Sequence, residues 1–117
     1  AAFSGMYGMN AFAKNAPVLV AAIREKSTYA AQIGSTWWGV QYSLIDLGIA
    51  CDHFTLQAAE EGLGACWLGW FNEKAVKKIL ALPRNTKIDI LLSVGYPLDD
   101  MSPEKNRKSL DEMSEIR

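Results

Sequence analysis

A continuous apolar run near the start of the chain indicates a buried β-strand. The run Val18–Ile23 follows Pro17 and ends at a charged triplet, Arg24 to Lys26. An apolar run of this length, bounded by turn-forming or charged residues, is typical of a strand that is buried on both faces. We therefore predict a central strand of a layered fold that combines helices with a sheet.

The segment from Gln41 to Glu61 has a helical period with apolar residues on more than one face. One stripe contains Leu44, Leu47, Cys51, Phe54 and Ala58, and a second contains Ile45, Ile49 and Leu56. A helix that is apolar nearly all round must be covered nearly all round. It therefore lies in the middle of a domain or in a subunit interface. The interface is the favoured explanation, because a chain of 117 residues has little other protein to cover the helix. Gly62 suits the left-handed position that ends such a helix.

The pattern after this helix predicts a strand, a second helix and a second strand. Ala65 to Leu68 is the short strand, and Asn72 suits the N-cap of a helix from Glu73 to Leu82 that Pro83 closes. Lys87 to Tyr96 alternates in the manner of a strand.

Polar residues on the second face of that last strand, Asp89 and Ser93, place it near an edge of the sheet. The segment from Ala1 to Asn15 supports a short helix or a loop. Ser27 to Gly39, with Trp37 and Trp38, is predicted to be a surface excursion whose aromatic tip packs back onto the body. A polar extension begins at about residue 98.

The run from Gly62 to Phe71 combines three glycines with two tryptophans. Glycine lets the main chain approach a partner closely, and indole rings supply broad apolar walls, so one hypothesis is a surface for a planar ligand. The other interpretation is a helix C-cap followed by a short buried strand with core tryptophans. The run alone leaves both open.

Composition and charge exclude several classes of function. Twelve basic and thirteen acidic residues give a net charge of -1, so no global field attracts nucleic acid or an anionic membrane. No apolar stretch is long enough to span a bilayer. Cys51 and Cys66 lie in apolar surroundings and are best explained as buried free thiols in a reducing compartment, which predicts a cytoplasmic protein. His53 is the only histidine, and neither a metal site nor a histidine-based triad accompanies it.

Taken in order, four segments of the chain resemble the C-terminal part of the FMN-dependent nitroreductase family. They are Asn15–Val20, Asp46 through Ala59, Gly62–Gly69, and Gly95–Pro97 followed by Arg107–Leu110. The resemblance implies an α+β fold with a mixed sheet flanked by helices. It also implies a homodimer built around the Gln41–Glu61 helix, with one FMN at each edge of the dimer interface.

The resemblance further implies an oxidoreductase that uses NADH or NADPH to reduce FMN. The electrons then pass to a small-molecule acceptor such as a nitroaromatic or a quinone. Because the flavin carries out the hydride chemistry, the protein needs no catalytic side chain and no metal. The family's loop over the flavin ring falls on Trp67, Leu68, Gly69 and Trp70, where the Gly69 N–H would face flavin N5.

The family's C-terminal basic pattern falls on Lys105 and Arg107. The resemblance implies that Arg107 binds the FMN phosphate in bidentate fashion and that Lys105 adds a point charge. Lys108 is a weaker candidate. A solvated basic run is the alternative interpretation of these residues.

The family's N-terminal phosphate-binding segment has no counterpart in the sequence. We therefore expect residues 1–117 to be the C-terminal portion of a single nitroreductase-like domain that, by itself, binds flavin weakly or not at all. A non-catalytic dimerisation or ligand-binding module that retains the fold remains the alternative function. Dehalogenation, azoline oxidation and flavin fragmentation, which relatives of this fold perform, also remain open.

Overall fold

A computed structural model describes residues 2, 5–25, 39–98 and 104–115. The predicted excursion at 27–39, with Trp37 and Trp38, lies outside the described residues except for Gly39. The described elements follow one another as a 3₁₀ helix Gly5–Asn15, β1 Val18–Arg24, α1 Tyr42–Glu60, β2 Gly64–Leu68, α2 Glu73–Ile79, β3 Lys87–Gly95 and α3 Leu110–Met113. The predicted helices and strands are therefore present, with ends shifted by a few residues at most.

The described strands form one three-stranded antiparallel sheet in the order β1-β3-β2. In β3, one extra residue, Asp89, separates the partners of Ala22 and Ile23, which are Ile90 and Ile88. This β-bulge shifts the alternation of β3, so that Ile88 and Ile90 join clusters on opposite faces of the sheet. The α+β class is confirmed, with helices on both sides of the sheet. The described strands pair only in antiparallel fashion, so the mixed sheet that the resemblance implies stays a prediction.

The predicted positions of two strands within the sheet are wrong. β1, predicted to be central, lies at an edge of the described sheet with Val18 and Leu19 about half exposed, whereas β3, predicted near an edge, lies in the centre. An apolar run reports which faces of a strand are covered, and it carries no information about which of its edges are paired. Asp89 and Ser93 led to the wrong position for β3 for the same reason, because they report on the faces of the strand and not on its paired edges.

Asp89 is accommodated in the central strand because a cation on β1 faces it. Arg24 Nε lies 3.0 Å from Asp89 Oδ2, and Arg24 Nη2 donates a hydrogen bond to Oδ1 at 3.3 Å. The pair is partly buried, with side-chain exposures of 25% and 14%. Desolvation of a carboxylate is tolerable when a guanidinium is this close.

The core consists of two clusters on the two faces of the sheet. On one face, α1 covers Leu92 and Val94 through its residue Cys51. On the other face, the 3₁₀ helix and α2 contribute Ala13 and Val76, which pack with Leu68, Ile88 and Leu91. The molecule is therefore layered as helix, sheet and helices.

The faces of α1 directed away from the sheet remain apolar and exposed. Only Cys51 and Ala58 of this helix are buried. Large side chains that are 37–61% exposed surround them or directly precede the helix, namely Val40, Tyr42, Leu44, Ile45, Ile49, Phe54 and Leu56. Within the described part of the chain, no helix combines the length and the apolar character that a membrane crossing requires.

The helices α1 and α2 end in the same kind of hydrogen-bonded turn. After α1, Leu63 N donates to Ala58 O and Gly62 N to Ala59 O, with Gly62 at φ 73° as predicted. After α2, Leu82 N donates to Lys77 O and Ala81 N to Lys78 O. This is the Schellman arrangement, and it ends α2 at Ile79, before the predicted boundary at Pro83, because Ala81 adopts φ 52°.

Candidate functional site

The segment Trp67–Trp70 crosses the end of β2, whose last two residues, Trp67 and Leu68, lie on opposite faces of the sheet. Trp67 pairs with Leu92 and therefore lies on the α1 face, where it is 44% exposed. Leu68 pairs with Leu91 on the other face, and its side chain is 1% exposed in the core. Any contact of Leu68 with a bound molecule must therefore come from its backbone.

Gly69 presents bare backbone next to these rings. A Cβ placed on it would meet Ile90 Cδ1 at 3.9 Å, an ordinary van der Waals distance, and its φ is not positive. Neither crowding nor backbone conformation within the described residues requires a glycine at this position. The side chain of Trp70, which follows, is 61% exposed. The segment thus displays two accessible indoles on either side of an accessible main chain.

The backbone after Gly69 is held by hydrogen bonds from three directions. The Asn10 side-chain amide donates to the Trp70 carbonyl at 2.6 Å. The Asn72 N–H donates to the Ala2 carbonyl at 3.0 Å. The Asn72 side chain accepts from the Ala75 N–H at 3.1 Å, which is the predicted N-cap of α2. The exposed rings of Trp67 and Trp70 are therefore attached to a main chain that these hydrogen bonds restrain.

Asn10 is a residue of this site that the sequence did not single out. The hydrogen bond from Asn10 to Trp70 spans 60 residues. No local pattern marks such a contact, because an asparagine in a short polar and apolar mixture is compatible with many roles.

The predicted phosphate-binding residues lie apart from this loop in the chain. Lys105 and Arg107, with Lys108, are exposed in the irregular segment before α3. A capping interaction fixes the start of α3, where the Glu112 carboxylate accepts from the Ser109 N–H at 2.9 Å and from its hydroxyl at 3.0 Å. The Ser109 hydrogen bonds lower the pKa of Glu112. These cations are exposed to solvent, and within the described ranges no hydrogen bond joins them to Trp67–Trp70.

Other reactive side chains give no sign of a catalytic group. Burial raises the pKa of the Cys51 thiol, which disfavours its reactive thiolate form. The prediction that both thiols are buried is confirmed for Cys51 and wrong for Cys66, which is exposed and forms no disulfide. His53 is exposed on α1. Among the residues that the structure describes, no group of histidine, cysteine, aspartate and glutamate side chains could hold a metal ion.

Sequence comparison decides the family. The model of the nitroreductase family matches residues 5–96, which include the sheet, α1, α2 and the Trp67–Trp70 segment. This chain belongs to the nitroreductase family. No curated protein matches the chain.

Solved structures of nitroreductase family proteins share the fold. A nitroreductase family protein from Clostridium novyi NT has a TM-score of 0.65 and 29% identity, over 86% of this chain and 55% of that chain. One from Clostridium difficile 630 has a TM-score of 0.64 and 28% identity, over 92% of this chain and 66% of that chain. An FMN-dependent nitroreductase from Clostridium difficile R20291 has a TM-score of 0.55 and 25% identity, over 85% and 54% respectively.

This chain thus spans roughly half to two thirds of the length of these nitroreductase structures. The recognised resemblance and the α+β fold are confirmed. The flavin-contact residues, the dimer and the substrates remain predictions.

Proposed function

We propose that this chain is the part of an FMN-dependent NAD(P)H oxidoreductase that faces the flavin ring, acting on nitroaromatics, quinones or similar small acceptors. The observation that carries the proposal is the Trp67–Trp70 segment, in which two exposed indoles flank an exposed glycine on an anchored backbone. Membership of the nitroreductase family supports it, as does the FMN-dependent neighbour from Clostridium difficile R20291.

The residues present suit the ring of a flavin. An isoalloxazine is planar and largely apolar, and indole side chains supply apolar walls for such a group. Gly69 is exposed and carries no side chain over its main chain, and among the described residues a Cβ built on it would meet Ile90 Cδ1 at 3.9 Å. For the phosphate, Arg107 and Lys105 supply exposed positive charge.

Bound FMN would supply hydride and electron transfer. The Gly69 N–H is proposed to point at flavin N5, where a donor stabilises negative charge on the reduced ring. Trp67 and Trp70, which are accessible, would exclude water from the edge of a bound ring, and Leu68 secures the segment through its buried side chain. No side-chain acid, base or nucleophile is needed in this scheme.

Phosphate binding is assigned to the basic residues after β3. We propose that Arg107 binds the FMN phosphate through two parallel hydrogen bonds and that Lys105 adds a point charge. A planar guanidinium matches the geometry of phosphate oxygens, whereas an ammonium does not enforce orientation.

The dimer is proposed to form through α1. The exposed side chains Ile45, Ile49 and Leu56 lie on faces of α1 that the sheet does not cover. Burying them in a second copy of the helix removes that apolar surface from water, and a two-fold axis uses each residue twice. We further propose a cytoplasmic location, consistent with two free cysteines.

A flavin titration tests the proposed function. FMN is added to the protein expressed from its complete reading frame, and quenching of flavin fluorescence is followed for the wild type, Arg107→Ala and a control, Arg84→Ala. Arg84 is exposed and lies outside the proposed site. Loss of a charge-assisted pair with phosphate is expected to weaken FMN binding at least about 10-fold in Arg107→Ala only.

Two outcomes would contradict this proposal in different ways. If the wild type takes up no FMN, the chain is better described as a non-catalytic module of the same fold. If Arg107→Ala binds FMN as tightly as the wild type, the phosphate assignment is wrong while flavin binding stands.

A further inference from the structure

The Asn10 side chain reaches the backbone of the Trp67–Trp70 segment from another part of the chain. Its side-chain Nδ2 donates to the Trp70 carbonyl at 2.6 Å. This hydrogen bond restrains the plane of the Trp70–Phe71 peptide group, to which the carbonyl belongs. The Gly69 N–H lies two peptide groups earlier, between this restrained carbonyl and the buried side chain of Leu68.

The 3₁₀ helix holds Asn10 in place from below. Ala13 follows Asn10 by three residues, is 1% exposed and packs in the cluster that contains Leu68. The burial of Ala13 therefore ties the segment next to Asn10 to the core.

The backbone of Asn10 departs from the helix at this point. Its φ of -99° and ψ of 21° interrupt the helical geometry of the segment Gly5–Asn15. The interruption lies at the residue that reaches the loop. On the far side of Phe71, the hydrogen bond from Asn72 N–H to the Ala2 carbonyl secures the other end of the loop.

We propose that Asn10 is a positioning residue for the main chain of Gly69 and Trp70. Resting on the proposed flavin function, this role consists in fixing the direction of the Gly69 N–H before the ring binds. A donor that is already aligned stabilises developing charge without reorganisation. Asn10 itself need not touch the flavin.

Asn10→Asp tests the role with nearly unchanged shape, because a carboxylate cannot donate to the Trp70 carbonyl and repels it. Asn15→Asp, an exposed position at the end of the same helix, is the matched control for the added charge. Three quantities are measured for each protein: the FMN dissociation constant, the midpoint potential of bound FMN, and the ¹⁵N order parameters of residues 69–71 without flavin. Thermal unfolding verifies that the variants are folded, and Asn10→Ala replaces Asn10→Asp if the latter is not.

We expect Asn10→Asp to weaken FMN binding about 3- to 10-fold, the scale of one hydrogen bond. The midpoint potential should become more negative, because a misaligned donor stabilises reduced flavin less. Loop order parameters should fall from about 0.85 towards 0.6. Asn15→Asp should leave all three quantities unchanged.

An unchanged potential in Asn10→Asp would overturn the positioning role, even if affinity falls, since a merely structural contact would affect affinity alone. Unchanged order parameters would show that the Asn10–Trp70 hydrogen bond does not restrain the loop, which overturns the positioning role as well. If the wild type binds no FMN, the proposed function fails and the positioning role fails with it, while the order parameters still report whether Asn10 holds the loop.

Discussion

β3 and α1 are both strongly apolar, but the chain covers them very differently. In β3, Ile88, Leu91, Leu92 and Val94 are 1–7% exposed, because β1 and β2 flank the strand and helices lie on both faces. In α1, only Cys51 and Ala58 are buried, and Ile45, Ile49 and Leu56 are 52–61% exposed.

This difference shows that the chain covers the apolar side chains of β3 by itself, whereas those of α1 require a partner. Burial of apolar surface is the main favourable term in folding, so β3 accounts for much of the stability of the described part. The exposed faces of α1 contribute little until another surface covers them. A contiguous apolar surface of this kind is typical of an interaction site, which is why we assign it to the dimer.

The largest expected effect comes from truncating the central strand. Leu92→Ala should lower the free energy of unfolding by about 3 kcal/mol, within the range for a buried leucine, because it leaves a cavity under α1. Leu56→Ala, on the exposed face of α1, should cost less than about 1 kcal/mol. Urea denaturation at the lowest workable protein concentration measures both. Equal losses would mean that the chain itself covers α1.

A charge on the exposed face of α1 should act on association. Ile49→Lys should weaken dimerisation at least about 30-fold, since the two-fold axis places the residue in the interface twice and an unpaired buried charge is costly. Sedimentation equilibrium measures the dissociation constant. Ile79→Lys, at a position 69% exposed outside α1, is the control. If both variants associate like the wild type, α1 is not the interface.

A smaller, pH-dependent effect is expected at the start of β3. The Glu73 carboxylate accepts from the Ile88 N–H at 3.1 Å and lies 3.0 Å from Lys77 Nζ. That backbone hydrogen bond, helped by Lys77 and Lys87, lowers the pKa of Glu73. A depressed folded-state pKa stabilises the fold at neutral pH, and this contribution disappears as the pH falls through the folded-state value.

Glu73→Gln isolates this contribution. The wild type should be more stable than Glu73→Gln at pH 7. The difference in the free energy of unfolding should shrink as the pH falls below the ordinary glutamate pKa of about 4.3. Urea midpoints across this pH range provide the measurement. A difference that is independent of pH would assign the effect to packing instead of charge.

The sequence predicted the helices and strands better than it predicted which strands are neighbours in the sheet. The apolar period of α1, the Asn72 cap and the Gly62 turn are local signals, and each matches the structure. The order of strands depends on pairing between distant residues. Asp89 pointed to an edge because its partner, Arg24, lies 65 residues away in the sequence.

The candidate site was predictable in part, for the same reason. Glycine and tryptophan composition marked Trp67–Trp70 locally, whereas Lys105 and Arg107 were assigned only through the family resemblance. The sequence did not mark Asn10, because only a tertiary hydrogen bond to Trp70 connects it with the candidate site. Exposure also sharpened the prediction, since Leu68 can act only through its backbone.

Anaerobic reduction of bound FMN tests the central claim most directly. FMN-loaded protein from the complete reading frame is mixed with NADH or NADPH, and absorbance is followed near 450 nm, roughly where oxidised flavin absorbs. We predict that the absorbance falls with at least one donor and returns when a quinone or nitroaromatic is added. Protein that binds FMN but is bleached by neither donor would contradict the proposed oxidoreductase function.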